Sequence, residues 1–208
     1  MNNYFFEGLL GLGGISSAIA IWIKIDKNTT FLECLRIIVS RFLTTQPIIL
    51  ATIFLEVAVS SFLRGPGLSV FNETPIQACE KNLLHHILHM KTFVGKNIMC
   101  APHFWSLSAE FHLFTLAVFL IFLYHQHKTL SKIIMTLLSV GGLAYTVSVF
   151  YRFSLTPLFF VYPFKFSDGF LYTMNSYLTT STHLWIYVGT VLFFVLMMEK
   201  FDEKFTMV

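Results

Sequence analysis

FWSLSAEFHLFTLAVFLIFLY, residues 104–124, contains one acid, Glu110, and no lysine, arginine or further carboxylate. As a helix it extends roughly 30 Å at about 1.5 Å per residue, the thickness of a bilayer's hydrocarbon core. The stretch therefore predicts a membrane span, and any polar side chain inside it must face protein or water, not lipid. If the helix begins near Pro102, where proline is tolerated in a first turn, His103 and Glu110 stand seven residues apart and project from nearly one face. Ser106 falls between them on that face. Trp105, Ser108 and His112 make a second polar stripe at similar spacing.

The rest of the chain has the same character. Hydrophobic residues make up 55% of it, charged ones 12%, and mean hydropathy is +0.69, whereas about a quarter of a soluble domain is charged. The composition predicts an all-α, polytopic membrane protein. Apolar windows at Tyr4–Ile25, Phe42–Leu63, Phe104–Tyr124, Ile133–Tyr151 and Thr182–Met198 predict about five transmembrane helices in a bundle. The patch Leu155–Phe164 holds Pro157 and Pro163 and is too short to cross, so it reads as an interfacial or re-entrant piece. The net charge of +3 is spread thinly and no basic run is interleaved with aromatics, which excludes nucleic acid as a partner and leaves membrane lipids as the surroundings.

Basic residues set the expected orientation. Lys24, Lys27, Arg36 and Arg41, then Lys128 and Lys132, then Lys200 and Lys204 fall on one side if the spans alternate, and that side reads as cytoplasmic. The amino terminus then starts outside, with the first span as a reverse signal anchor. The loops Arg64–His103 and Arg152–Ser181 lie outside. Cys79 and Cys100 share the first of these loops, and two cysteines in an oxidising compartment pair as a disulfide; the alternative is a pair of unlinked thiols. Asn72-Glu73-Thr74 is a glycosylation sequon in the same loop, while the sequon at Asn28 falls in the cytoplasm and stays unmodified.

The order Cys100-x-x-His103-x-Trp105-x-Leu107-x-x-Glu110, followed by a long aromatic helix, resembles the signature of the acyltransferase 3 family of membrane proteins, in particular its animal "nose resistant to fluoxetine" branch. Tyr4 to Leu10, Arg36 to Pro47 and Cys79 with Asn82-Leu83-Leu84 resemble further family elements in the same order. The resemblance implies one partial acyltransferase 3-like domain over residues 1–208. It also implies a longer parent protein, because the family's first span, with its catalytic histidine, has no counterpart in these residues. The implied activity is acyl transfer from a coenzyme A thioester, as co-substrate and not a bound cofactor, to a hydroxyl on a lipid or small-molecule acceptor. Whether these residues suffice for an enzyme stays open. The alternative is a catalytically silent membrane protein that binds or moves lipids or hydrophobic small molecules.

Such a reaction needs a general base, an oxyanion donor and a group that holds the base in its tautomer. His103 and Glu110 have the types and facing for base and orienter, though two helical turns separate their backbones by about 10 Å, so a bent-back side chain or a bridging water is required. The alternative is an interfacial anchor formed by Pro102, His103 and Trp105 at headgroup level. Trp105 and Ser106 would line the substrate. Glu56, an acid near the middle of the second span, is a binding candidate or a packed carboxyl. Arg41 would bind phosphates of a carrier on the cytoplasmic side or anchor the helix end.

His85, His86 and His89 lack a carboxylate or cysteine at metal-site spacing and read as solvated loop histidines, so no metal is expected. Cys34 is a palmitoylation candidate or an inert thiol. Gly141-Gly142 in the fourth span and Gly11, Gly13 and Gly14 in the first read as places of close helix packing. The run from Glu199 to Lys204 reads as a solvated cytoplasmic end, and the organelle reads as endoplasmic reticulum or plasma membrane.

Overall fold

The computed structural model describes residues 3–62, 83–85, 87–90, 104–152 and 180–206. Five long helices make up nearly all of this: α1 (Asn3–Trp22), α2 (Phe31–Phe62), α3 (Phe104–Gln126), α4 (Lys128–Arg152) and α5 (Thr180–Thr206). No strand occurs among the described residues. The stretches Phe31–Leu55, Ser106–Gln126, Lys128–Arg152 and His183–Asp202 are long and apolar enough to cross a bilayer, and Gly8–Trp22 is a shorter apolar helix. The chain is an all-helical membrane protein of about five spans. The re-entrant piece expected at Leu155–Phe164 lies outside the described residues.

Most helix boundaries fall close to the apolar windows; the end of α5, at Thr206 and not Met198, and above all the start of α2 do not. The window reading opens that span at Phe42, but the helix begins eleven residues earlier at Phe31. The cause is a reciprocal cap. The Thr30 amide donates to Glu33 Oε2 at 2.6 Å, and the Glu33 amide reaches back to Thr30 Oγ1 at 3.4 Å, which satisfies two first-turn N–H groups. Arg36 and Arg41, expected in a loop, are therefore helical residues. Pro47 sits inside α2 without ending it. In the turn before it, Thr44 and Thr45 hydroxyls donate to the carbonyls of Arg41 and Phe42 at 2.9 and 2.8 Å, while the carbonyl that the missing Pro47 N–H leaves without its helical donor is that of Leu43.

The chain divides into two compact units, unit 1 comprising Met1–Ile38 and His112–Val208, and unit 2 comprising Val39–Phe111. In unit 1, α5 packs against both α1 and α4. Lipid is as apolar as leucine, so helices do not gather in it by hydrophobic burial, and close approach of backbones matters most. A Cβ on Gly14 would strike the Thr190 hydroxyl and stand 3.0 Å from the Tyr187 carbonyl oxygen. One on Gly142 would lie 2.9 Å from the Trp185 backbone nitrogen. Both glycines admit α5 where a side chain would hold it off, as the sequence reading expects. Gly141 faces open space and takes no part.

Around these contacts Ile21, Leu113, Ile121, Met135, Tyr187, Val191 and Val195 form a fully buried core. Two hydroxyls tie the helices through their backbones: Ser131 donates to the Leu120 carbonyl at 2.7 Å and Ser139 to the Trp185 carbonyl at 2.9 Å. Lys132 Nζ grips both oxygens of Glu199, at 3.1 and 3.0 Å. Glu199 is thus drawn into α4–α5 packing, not left to solvent as its charged neighbours suggest. The outer faces keep Leu12, Val140, Val147 and Phe193 exposed, the surface a bilayer covers.

Unit 2 has a much smaller apolar centre, Ile49 and Ile53 with Val57 and Leu107 packed against them.

Candidate functional site

Unit 2 assembles its polar residues on α2 beyond Val39, on the first two turns of α3 and on the segment 83–90. Arg41 stands ten residues into α2, about 15 Å along the helix, and Glu110 stands six residues into α3, about 9 Å along. Arg41 Nη2 donates to Glu110 Oε1 at 2.6 Å, a short charge-assisted bond between half-buried side chains. Arg41, read from the sequence as a residue of the cytoplasmic helix edge, is thus bonded to a residue in the first two turns of α3.

The residues next in sequence continue the cluster. Phe42 and Phe111 meet at 5.8 Å between ring centroids, and both touch the imidazole of His89. Phe111 stacks on that ring at 4.7 Å and Phe42 meets it edge-on at 5.6 Å. His89 is 1% exposed and has φ of 55°, a left-handed backbone that is uncommon outside glycine and asparagine. Ser108, itself buried, donates its hydroxyl to the His89 carbonyl and so fastens this turn to α3. The sequence reading of His89 as a solvated loop residue is therefore corrected. Two aromatic rings and a serine on the second polar stripe of α3 enclose it.

His89 Nε2 lies 3.2 Å from Thr45 Oγ1. The Thr45 hydrogen is already given to the Phe42 carbonyl, so the pair is satisfied by an Nε2–H tautomer donating to the hydroxyl oxygen. Gln46 follows directly. Its amide nitrogen donates to the Ile87 carbonyl at 3.0 Å, while its Oε1 is buried with no hydrogen-bond partner among the described residues. The amide nitrogen also stands 3.5 Å from His89 Nε2, at the limit of a contact. A buried carbonyl oxygen without a donor costs about 1–3 kcal/mol, which a ligand hydroxyl or amine can recover.

The remaining sequence candidates divide sharply. Ser106 is half-buried on α3. Trp105 and Glu56 are helical, in α3 and α2, but their side chains lie outside the described part of the structure. His103, Cys79, Cys100 and Asn72 lie outside the described residues altogether. The site thus gains Thr45, Gln46, His89 and Ser108, of which only Ser108 carries a signal in the sequence, its place on the polar stripe. Among the described residues no three histidine, cysteine or acidic side chains converge on a point that would hold a metal.

Chemically the cluster offers a cation held by an anion, a buried imidazole and an open amide acceptor, bounded by aromatic rings. Such a site suits a molecule with an apolar body and a polar head that can donate a hydrogen bond. The chain matches no family model, no curated protein and no solved structure.

Proposed function

We propose that the chain is a multi-pass protein of the endoplasmic reticulum or plasma membrane that binds a lipid or hydrophobic small molecule by its polar head at the Arg41–Glu110–His89–Gln46 cluster. The observation that carries this reading is Gln46 Oε1, buried beside the imidazole of His89 with no hydrogen-bond partner among the described residues. Polar groups placed inside a span mark binding or transport sites because stranding them is expensive. To test this, the chain and its Gln46→Leu variant are purified in mild detergent, and the retained lipids and small molecules are compared by mass spectrometry. Loss of one species from Gln46→Leu supports the reading. Identical profiles from both proteins overturn it.

O-acyl transfer is the second reading, favoured by the 3.2 Å approach of His89 Nε2 to a hydroxyl oxygen. An acceptor hydroxyl bound to Gln46 Oε1 would lie beside the same nitrogen. To act as base, the imidazole must adopt the Nδ1–H tautomer and take the hydroxyl proton. The acceptor oxygen then attacks the thioester carbonyl of an acyl-CoA, the carbon–sulfur bond breaks, and coenzyme A leaves as a thiol with that proton. Glu110 acts in this reading as the counter-ion of Arg41. Its pairing with His103, expected from the motif, remains a proposal for residues beyond those described. Incubation of the purified chain with radiolabelled palmitoyl-CoA and membrane lipid extract tests the chemistry: a labelled ester that His89→Ala abolishes supports transfer, and hydrolysis at the background rate removes it.

A further inference from the structure

One end of unit 1 collects exposed basic side chains from two connections. The turn after α1 carries Lys24 and Lys27, and the junction of α3 and α4 carries His127 and Lys128; all four are exposed. The two connections are fastened together, for Gln126 Nε2 donates to the Lys27 carbonyl at 3.3 Å. His127 alone separates α3 from α4, and its amide and carbonyl join the hydrogen-bond ladders on either side, at 2.7 and 3.0 Å. The junction is therefore nearly as stiff as a helix.

Aromatic rings floor this end. Trp22 contacts Tyr124 at 5.6 Å, His125 at 4.9 Å and Phe194 at 5.8 Å. The Lys128 ammonium stands 5.7 Å from the Tyr124 ring centroid. Tryptophan and tyrosine at the end of a span mark the headgroup level of a bilayer. His125 Nε2 is buried beneath the surface without a partner among the described residues. A shallow hollow of about 360 Å³ opens above, lined by His127, Lys128, Thr129 and Leu130.

The balance of charge decides what fits. Asp26 is the acid in the α1–α2 turn, and its carboxylate is engaged by the Asn28 amide and the Thr29 hydroxyl, both at 2.9 Å. Lys132, the next cation along α4, is bound to Glu199. Among the described residues Lys27 and Lys128 form no ion pair. Three exposed lysines, Lys24, Lys27 and Lys128, thus stand at this end against Asp26, the one carboxylate of the two connections, so the end keeps a net positive charge beside the hollow that His127 and Lys128 line. We propose that this end of unit 1 is a docking surface for the phosphate-bearing headgroup of an anionic phospholipid, held by Lys27, His127 and Lys128. It belongs wholly to unit 1 and is independent of the Arg41 cluster. It lies at the end that the basic residues assign to the cytoplasm, where the leaflet is anionic.

The test uses the whole chain in detergent, titrated with phosphatidylserine, phosphatidylinositol phosphate or phosphatidylcholine and read by native mass spectrometry, with inorganic phosphate in a separate arm. Anionic lipid is expected to bind in preference to phosphatidylcholine. The double variant Lys27→Gln/Lys128→Gln is expected to weaken it more than tenfold, at about fivefold per lysine. Lys128→Arg, which keeps the charge, and Lys200→Gln, a basic residue elsewhere on α5, are expected to bind as the parent does. Equal binding of all lipids, or a double variant that keeps the preference, overturns the proposal. Binding of inorganic phosphate without a preference among lipids overturns the lipid assignment and leaves a soluble phosphate as the occupant.

Discussion

In unit 1 helices meet where side chains are missing, at Gly14 and Gly142, and bury an apolar core of sixteen residues; in unit 2 two helices meet through a guanidinium, a carboxylate, an imidazole and an amide, over a core of two. The first arrangement suits a solvent that competes poorly for close van der Waals contact, and it leaves little chemistry behind. The second puts its cohesion into groups that can also engage a ligand. A site assembled from the same bonds that hold its helices together couples occupancy to stability, whereas the glycine contacts of unit 1 can act as an inert scaffold.

Breaking the ion pair is the strongest challenge to that contrast. Arg41→Ala leaves Glu110, and Glu110→Ala leaves Arg41, as a single charge within a span, at a cost of about 3 kcal/mol. Removing both in Arg41→Leu/Glu110→Leu is expected to recover most of the loss, because no charge is then stranded. Denaturation of the purified variants in detergent measures both. A double variant as unstable as the sum of the singles would show that the two side chains are not coupled.

Filling the glycine contacts comes next. Gly142→Ala and Gly14→Ala are each expected to destabilise by about 1–3 kcal/mol, because the Cβ meets backbone atoms that cannot swing aside. Gly141→Ala has open space and is expected to be neutral or to stabilise by up to about 1 kcal/mol through helix propensity. The adjacent pair is its own control. Equal effects at 141 and 142 would refute the α4–α5 contact.

Why the fold was so readable, and the site so much less so, follows from these residues. Span length and hydropathy are local properties, and they located all five helices because bilayer thickness dictates both. The early start of α2 is hidden from hydropathy for a physical reason: Glu33, Arg36 and Arg41 depress an apolar average, while the T-x-x-E cap at residues 30–33 that begins the helix is a hydrogen-bond signal. Arg41 and Glu110 each stand out in the sequence, but their partnership spans 69 positions and depends on the relative level of two helices, which periodicity does not encode. A histidine in a loop carries no pattern of burial, so from the sequence His89 reads as solvated. Its enclosure comes from Phe42, Phe111 and Ser108, all on other segments.

The cap itself allows a smaller test. Thr30→Ala removes the hydroxyl that receives the Glu33 amide and is expected to cost about 1 kcal/mol, with fraying confined to the first turn of α2. Hydrogen exchange at Glu33 and Cys34 reads this directly. Both amides should exchange faster, while those around Thr45 keep their rates. Faster exchange extending to Thr45 would mean that the cap also supports the Arg41 site.

The smallest effect belongs to the turn before that cap. The Thr29 hydroxyl and then the Asn28 amide donate to the Asp26 carboxylate and hold its pKa below the ordinary value of 3.8. A carboxylate with a lowered folded pKa stabilises the fold fully above the unfolded value, and its contribution is lost as pH falls through the folded value. Acidification from neutral pH should therefore leave the turn intact until below pH 3.8 and then release it. The Asn28 amide resonance, 2.9 Å from Asp26 Oδ1, reports the midpoint, and Thr29→Val should raise that midpoint by removing the leading donor. Because Asp26 is exposed and its turn lies between spans, release should proceed without melting of either unit. A midpoint at or above 3.8 would mean that the backbone, and not the carboxylate, shapes the turn that carries Lys27.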